Sequence, residues 1–216
     1  MRLVAIVALL TTWGALAAEK PIITYKAPPS NDDDRPVITQ VVFAPQGSDY
    51  AFRVEFDKPP WGESCHTRCA NATLFLDTDN NRSTGLKLAD AKAQETGADL
   101  AISIQGVREF AEASARATLK VKITQYSEDA TAVDQGSTLA ELSTTDGERV
   151  LSEGNSLYLL VDASIGNIPS GAKARVVYHP PDSKPISGVG KGMAGPSSSH
   201  VEIFKQGKLV NPVKRR

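Results

Sequence analysis

Side-chain oxygens are concentrated in one short stretch of the chain, residues 77–85, which reads DTDNNRSTG. Asp77, Asp79 and Asn81 stand at alternate positions, so a tight turn would bring three hard oxygen donors around one point. Calcium takes about six to eight oxygen ligands in a flexible geometry, and carboxylates supply the negative charge that it needs. The spacing therefore predicts a calcium-binding turn, and the alternative is an Asx-rich turn that binds nothing.

The residues around this stretch indicate how the chain positions it. Residues 71–76 are largely apolar or β-branched and predict a strand, which should end at Asp77 because Asp and Asn are depleted in strands. Gly85 can adopt a positive φ and so close the turn. The stretch begins like an EF-hand loop, but Arg82 stands where that loop needs glycine and Leu88 where it needs a bidentate glutamate. An EF-hand is therefore excluded.

A second element follows the turn, where Gly-Ala-Asp at residues 97–99 leads into the apolar segment LAISIQG. A D-x-D-N-x-x-x-T-G turn followed by G-A-D and a strand resembles the pattern of secreted bacterial β-sandwich modules related to DOMON domains and family 9 carbohydrate-binding modules. Those modules bind sugars or haem, and the carboxylates of their turn hold a structural cation. The resemblance implies a calcium cofactor here, with Asp77, Asp79 and Asn81 as metal ligands and Asp99 as a further ligand.

The chain begins with a pattern typical of a secretory signal peptide. A positively charged start is followed by an apolar run and by Ala15 and Ala17 at the usual cleavage spacing, so we expect residues 1–17 to be removed. The apolar run is shorter than the roughly 20 residues of a transmembrane helix, so we expect no membrane span and a secreted protein, either periplasmic or extracellular. Residues 18–36 are rich in proline and aspartate and predict an extended N-terminal arm in which no core begins.

Short apolar or alternating segments recur along the rest of the chain, with polar turns between them and almost no helical periodicity. The expected strands cover residues 37–43, 50–56, 71–76, 98–106, 115–126, 138–142, 148–151, 155–163, 174–178 and 200–204. Alternation of apolar and polar side chains is typical of strands with one buried face. The pattern predicts an all-β fold, an antiparallel, jelly-roll-like β-sandwich over residues 37–206. A short helix is expected near residues 86–95, and residues 207–216 are expected to form a basic C-terminal tail.

The only two cysteines, Cys65 and Cys69, lie four positions apart in a loop that opens with prolines. In an oxidising compartment two cysteines this close most often form a disulfide, if the segment turns enough to meet the required Cα separation. The alternative is a metal, because C-x-x-x-C with His66 nearby resembles the copper sites of thioredoxin-related copper chaperones, although those need a βαβ fold. A disulfide, copper or redox chemistry, and free thiols all stay open at this point.

The sequence lacks recognisable catalytic patterns, and this favours a binding protein over an enzyme. The sequence has no nucleophile elbow and no H-E-x-x-H zinc motif, and a net charge of −1 gives no electrostatic field toward nucleic acid. Sugar-binding surfaces usually present aromatic rings, for which Trp61 is the best candidate. We therefore expect a non-catalytic module that recognises a carbohydrate or protein surface. The alternatives are a periplasmic copper or thiol-redox protein built on Cys65 and Cys69, and a structural envelope component.

Glycines recur near the C-terminus, where Gly190, Gly192 and Gly195 spell G-x-G-x-x-G. We reject a dinucleotide site, because we expect no strand before this pattern and Pro196 stands where the helix of such a fold should begin. A long surface loop over residues 180–199 is the interpretation that remains, and such a loop could act as a lid or bind a ligand.

Overall fold

The computed structural model describes residues 20–26, 35–46, 49–60, 69–87, 96–111, 114–144, 149–162, 173–180, 184–191, 204–205 and 208–209. These residues form β-strands, their connections and one short 3-10 helix, Val133–Gln135. Within these ranges, no helix is long and apolar enough to cross a membrane.

The strands form two antiparallel sheets that face each other. In chain order they are β1 (Ile23–Thr24), β2 (Ile38–Gln46), β3 (Asp49–Phe56), β4 (Asn71–Asp77), β5 (Leu100–Ala111), β6 (Ser114–Gln125), β7 (Ser137–Ser143), β8 (Val150–Glu153), β9 (Ser156–Asp162), β10 (Lys173–Tyr178), β11 (Ile186–Lys191), β12 (Phe204–Lys205) and β13 (Lys208–Leu209). The five-stranded sheet has the order β1-β2-β3-β9-β8, the six-stranded sheet has the order β11-β10-β4-β5-β6-β7, and β12 pairs with β13. The predicted all-β sandwich is confirmed.

The main core lies between the two sheets and is built from alternate residues of each strand. In β4, Leu74 and Leu76 belong to this core, whereas Phe75 between them lies in a second apolar cluster with Ala98 on the outer face of the six-stranded sheet. Successive side chains of a strand point to opposite faces, so the next residue, Asp77, falls on the outer face beside that cluster. The alternation of the sequence thus determines where the chain places its first candidate metal ligand.

The N-terminal segment contributes to the core, contrary to the expectation that no core begins before residue 37. Ile23 in β1 is 1% exposed and belongs to the main core, and Ile22 and Tyr25 pack against that core. The ring of Tyr25 meets the ring of Tyr178 edge to face, with 6.3 Å between the centroids. The prolines do not prevent this strand, because they follow and precede the four residues Ile22 to Tyr25 without interrupting them.

The expectation of a loop over residues 180–199 is wrong for its middle part. Residues Ile186–Lys191 form β11, which pairs antiparallel with β10 along its whole length. Gly188 allows β11 to lie close to the N-terminal segment, because a Cβ on this residue would overlap the carbonyl oxygen of Ile22. Gly190 therefore lies in an antiparallel edge strand, whereas a dinucleotide fold needs a parallel strand that leads into a helix.

The helix expected near residues 86–95 is not found at its start. Leu86 forms an isolated antiparallel bridge with Ala98, its backbone N–H donates to the Ala98 carbonyl at 2.7 Å, and its side chain is buried. Residues 88–95, and with them the rest of this prediction, lie outside the described residues.

The two sheets are joined by a hydrogen bond that crosses the core. The Tyr178 hydroxyl in β10 accepts a hydrogen bond from the backbone N–H of Ile38 in β2 at 3.3 Å, and the Tyr178 side chain is almost completely buried. Burial raises the pKa of Tyr178 to about 12. Because the folded chain holds the neutral phenol more tightly than the unfolded chain does, the stability contributed by this group is present below pH 10 and is lost between about pH 10 and 12.

We expect the wild-type free energy of unfolding to fall by about 2–3 kcal/mol across this pH window through Tyr178 alone. Tyr178→Phe should lower stability by about 1–3 kcal/mol at pH 8, because the Ile38 N–H loses its acceptor, but should make the fall between pH 10 and 12 shallower. Urea unfolding of both proteins at pH 8, 10, 11 and 12 measures the two effects. Parallel pH profiles would exclude Tyr178 as the titrating group.

Candidate metal centre

The candidate site begins at the last residue of β4. Asp77 is fully buried, although its strand ends here, and it lies directly opposite Arg175 of β10. The residues that follow leave the sheet, and Asn80 adopts a positive φ of 55°, a conformation that Asn tolerates better than most residues. We call residues 77–85 the Asp turn.

Backbone and side-chain donors hold the Asp turn in a tight loop. The N–H of Asn81 donates to Asp77 Oδ1 at 2.9 Å and to Asp79 Oδ1 at 2.8 Å, so one donor draws both carboxylates to the same side. The Asn81 Oδ1 atom accepts from the N–H and the hydroxyl of Ser83, and Asp79 Oδ2 accepts from the Thr84 hydroxyl. The structure thus contains the tight turn that the alternate spacing of Asp77, Asp79 and Asn81 predicts.

The Gly-Ala-Asp element at residues 97–99 fits against the Asp turn through two glycines with positive φ. A Cβ on Gly97 would stand 2.5 Å from the Cα of Arg82, and a Cβ on Gly85 would overlap the carbonyl oxygen of Ala98. The φ angles are 45° at Gly97 and 72° at Gly85. The backbone of the Asp turn therefore lies directly against the backbone of residues 97–99 at both glycines, and a residue with a Cβ would not fit at either position.

This close contact brings Asp99 to the Asp turn. Asp99 Oδ2 accepts hydrogen bonds from the backbone N–H and the hydroxyl of Thr78, both at 2.7 Å. The N–H of Asp99 donates to Leu76, the residue before Asp77, at 3.0 Å. The Asp turn and residues 97–99, which are about 20 residues apart in the sequence, therefore lie side by side, as expected from the sequence pattern in which one follows the other.

Three of the four predicted ligands converge. One carboxylate oxygen from each of Asp77, Asp79 and Asp99 lies within 4.8 Å of the other two. Calcium binds oxygens at about 2.3–2.6 Å, so ligands on opposite sides of one ion are about 5 Å apart, and the observed spacing fits a single ion. The fourth residue, Asn81, directs its side-chain oxygen to Ser83 and contributes its backbone N–H to the two carboxylates of the turn.

Arg175 is the important residue that the sequence did not reveal. Its Nε and Nη2 atoms donate to Asp77 Oδ2 at 3.1 and 2.7 Å, and Nη2 also donates to the Thr96 carbonyl at 2.8 Å. Its side chain is only 3% exposed. One signal was present in the sequence: an arginine among the apolar residues of the segment KARVVY needs a buried acidic partner.

The three carboxyl groups of the site face one buried cationic side chain, Arg175, whereas Arg82 of the Asp turn is exposed. Burial is the main cause that raises the pKa of Asp77 to about 6; the hydrogen bonds from the Arg175 guanidinium act in the opposite direction, and the adjoining Asp79 carboxyl acts in the same direction as burial. When all three carboxyl groups are ionised, they carry three negative charges against the one positive charge of Arg175. The remaining charge of −2 is the charge that one divalent cation neutralises.

The remaining candidate site residues lie in or near the cysteine-containing loop and at the end of β10. Trp61, Cys65 and His66 lie outside the described residues, so the predicted aromatic contact and the predicted Cys65–Cys69 pairing stay predictions. Cys69 lies within the described residues, where no cysteine is free and Cys69 is disulfide-bonded. His179 meets the ring of Phe75 edge to face, with 5.6 Å between the centroids.

Comparisons of the chain with protein-family models, with curated proteins and with solved structures find no match. The function is therefore inferred from the geometry and charge of the described residues, and the resemblance of the Asp turn to DOMON-related modules stays a prediction.

Proposed function

We propose that this protein is a secreted, non-catalytic β-sandwich binding module in which the Asp turn holds a structural calcium ion. The module recognises a carbohydrate or protein surface. The observation that carries the proposal is the convergence of Asp77, Asp79 and Asp99, whose oxygens meet within 4.8 Å beside a single guanidinium.

Calcium suits this site better than magnesium. Calcium accepts flexible geometry and up to about eight oxygens, whereas magnesium requires a near-ideal octahedron at about 2.0–2.1 Å and releases its water reluctantly. The Asp turn offers carboxylates that are already oriented by the Asn81 and Thr78 donors. A bound ion would join the end of β4 to the segment that leads into β5, and so would stabilise the connection between two central strands of the six-stranded sheet.

Calcium should raise the thermal unfolding midpoint of the protein. Calcium sites of extracellular modules have dissociation constants of about 10⁻⁴–10⁻³ M, so about 10 mM calcium should stabilise the folded chain by about 1.4–2.7 kcal/mol. For a domain of this size the Tm should rise by roughly 3–10 °C relative to excess chelator. Circular dichroism during heating, at several calcium concentrations, measures this shift.

Asp79→Asn is the sharpest variant for this test. Asp79 is exposed, and Arg175 donates to Asp77 and to the Thr96 carbonyl, so the change removes one charged ligand and keeps both members of the buried ion pair. Glu153→Gln, an exposed position in β8 of the other sheet, removes the same charge and serves as the matched control. Calcium should shift the Tm of Glu153→Gln as it shifts the wild type, and should shift that of Asp79→Asn much less. An equal shift in all three proteins would place calcium elsewhere, and no shift in the wild type would leave an Asx turn without a metal.

The disulfide belongs to the same proposal. Cys65 is the only other cysteine of the chain, and we propose that it is the partner of Cys69. Copper binding needs both sulfurs as reduced thiolates, so the bonded state of Cys69 favours the disulfide over the copper alternative. Peptide mass mapping of non-reduced protein should find the segments around Cys65 and Cys69 linked within one chain, and copper-dependent protection of two thiols would contradict this.

A further inference from the structure

The three carboxylates of the candidate site differ in how many of their oxygens already accept hydrogen bonds. Asp77 and Asp79 each accept hydrogen bonds through both of their oxygens. Asp99 accepts through Oδ2 alone, so in the described part of the chain its Oδ1 is the one carboxylate oxygen of the site without a hydrogen bond. This oxygen keeps its lone pairs for a cation, which makes the orientation of Asp99 important for the site.

The backbone of Asp99 is fixed by hydrogen bonds to the segments on both sides of it. Its N–H donates to the carbonyl of Leu76 in β4 at 3.0 Å, and its carbonyl accepts from the N–H of Tyr126, which follows β6, at 2.8 Å. These bonds determine where the Asp99 side chain begins, but they do not select its rotamer. The orientation of the carboxylate therefore depends on the groups that bind its oxygens.

Thr78, the residue between Asp77 and Asp79, supplies the two donors that orient this carboxylate. Its backbone N–H and its hydroxyl each donate to Asp99 Oδ2 at 2.7 Å. Thr78 is buried, with 7% of its surface exposed, so water competes little for these two bonds. Two donors on one oxygen hold the Asp99 carboxylate at the place where it meets Asp77 and Asp79 within 4.8 Å.

We propose that Thr78 is a positioning residue of the calcium site, which acts by holding Asp99 in the orientation that a ligand needs. This role rests on the proposed calcium function and extends it to a residue that the D-x-D spacing treats only as a spacer. Groups that hydrogen-bond a metal-ligating side chain commonly contribute about 10–100-fold to metal affinity. Any residue except proline keeps the backbone N–H at this position, so the specific contribution of Thr78 is its hydroxyl.

The calcium response of Thr78→Val, Thr78→Ser and the wild-type protein measures this role. Valine has nearly the shape of threonine but no hydroxyl, whereas serine keeps the hydroxyl. For each protein, the rise in Tm above its own value in excess chelator is recorded against calcium concentration. Thr78→Val should need at least about tenfold more calcium than the wild type for the same rise, and Thr78→Ser no more than about threefold more.

Thr78→Ala keeps the test decisive if valine at this position prevents folding. Alanine also lacks the hydroxyl, but it places no additional methyl group against the Asp99 carboxylate. It should need at least about tenfold more calcium, as Thr78→Val does. A wild-type calcium response in either variant without the hydroxyl overturns the proposal and leaves the calcium function standing.

Thr73→Val is the matched control, because it removes a partly buried threonine hydroxyl from β4 itself. The hydroxyls of Thr73 and Ser103 are hydrogen-bonded at 3.2 Å on the outer face of the same sheet. This variant should have a lower Tm in chelator and an unchanged calcium response. If Thr78 had only a structural role, Thr78→Val would behave in the same way. The absence of any calcium response in the wild type would overturn both the calcium function and the role of Thr78.

Discussion

Asp77→Ala is expected to lower the free energy of unfolding by about 3–5 kcal/mol even in excess chelator, because it removes the carboxylate that compensates the buried Arg175 guanidinium. Asp77 accepts two hydrogen bonds from Arg175 through one oxygen. Both side chains are almost completely buried, so water does not replace the carboxylate easily when it is removed. Asp79→Ala should cost less than about 1 kcal/mol under the same conditions, since Asp79 is exposed. Urea unfolding in chelator measures both changes.

A double-mutant cycle separates the ion pair from the metal. Arg175→Met alone should also be strongly destabilising, because it leaves the Asp77 carboxylate buried beside Asp79. The combination of Asp77→Leu with Arg175→Met removes both charges and should recover much of the loss, as apolar replacements of buried pairs often do. A loss below about 1 kcal/mol for Asp77→Ala in chelator would mean that water reaches Arg175 and that the pair is not buried in solution.

Asp77 has two roles at the site, as the partner of Arg175 and as one of the three converging carboxylates. A variant of Asp77 tests stability and metal binding together, so its failure to respond to calcium would prove little about the ion. Asp79 and Asp99 lie at the same site without the salt bridge, and their variants report on the ion more directly. The distinction comes from the described contacts and was not available from the spacing of the acidic residues.

The sequence predicted most strands because their signal is local. Apolar residues alternate with polar ones in β3 and β6, and this period of two reports directly which face of a strand is buried. The signal fails where an element is very short or where glycine replaces the apolar residues. β1 has only two residues, and two of the six residues of β11 are the glycines Gly188 and Gly190. Neither strand was predicted from the sequence.

The residues of the candidate site also fall into those that the local sequence predicts and those that it does not. Asp77, Asp79 and Asn81 are close in sequence, and turn chemistry alone places them together. Asp99 was reached only through the order of the elements in a resembling pattern, and Arg175 lies 98 residues from its partner. A contact of that kind is fixed by strand pairing across the sheet, since β10 lies beside β4, and no local property of the sequence encodes this neighbour relation.

Gly97→Ala is expected to be strongly destabilising, with a loss of at least about 3 kcal/mol in the free energy of unfolding. A positive φ costs an L-residue about 1–2 kcal/mol, and the new methyl group would in addition stand 2.5 Å from the Cα of Arg82, a backbone atom that cannot move without opening the Asp turn. Because Gly97 precedes Asp99 by two residues, the displacement should also move the third carboxylate. Calcium should then shift the Tm of this variant much less than that of the wild type.

Gly154→Ala is the matched control for this prediction. Gly154 has a similar positive φ of 56°, but a Cβ there would meet no atom within 4 Å. Its cost should be the backbone cost alone, about 1 kcal/mol, with the calcium response unchanged. Urea unfolding and thermal unfolding with and without calcium compare the two variants. Equal losses would show that the Asp turn yields to the methyl group, and a full calcium response in Gly97→Ala would separate the ion from the contact between the Asp turn and residues 97–99.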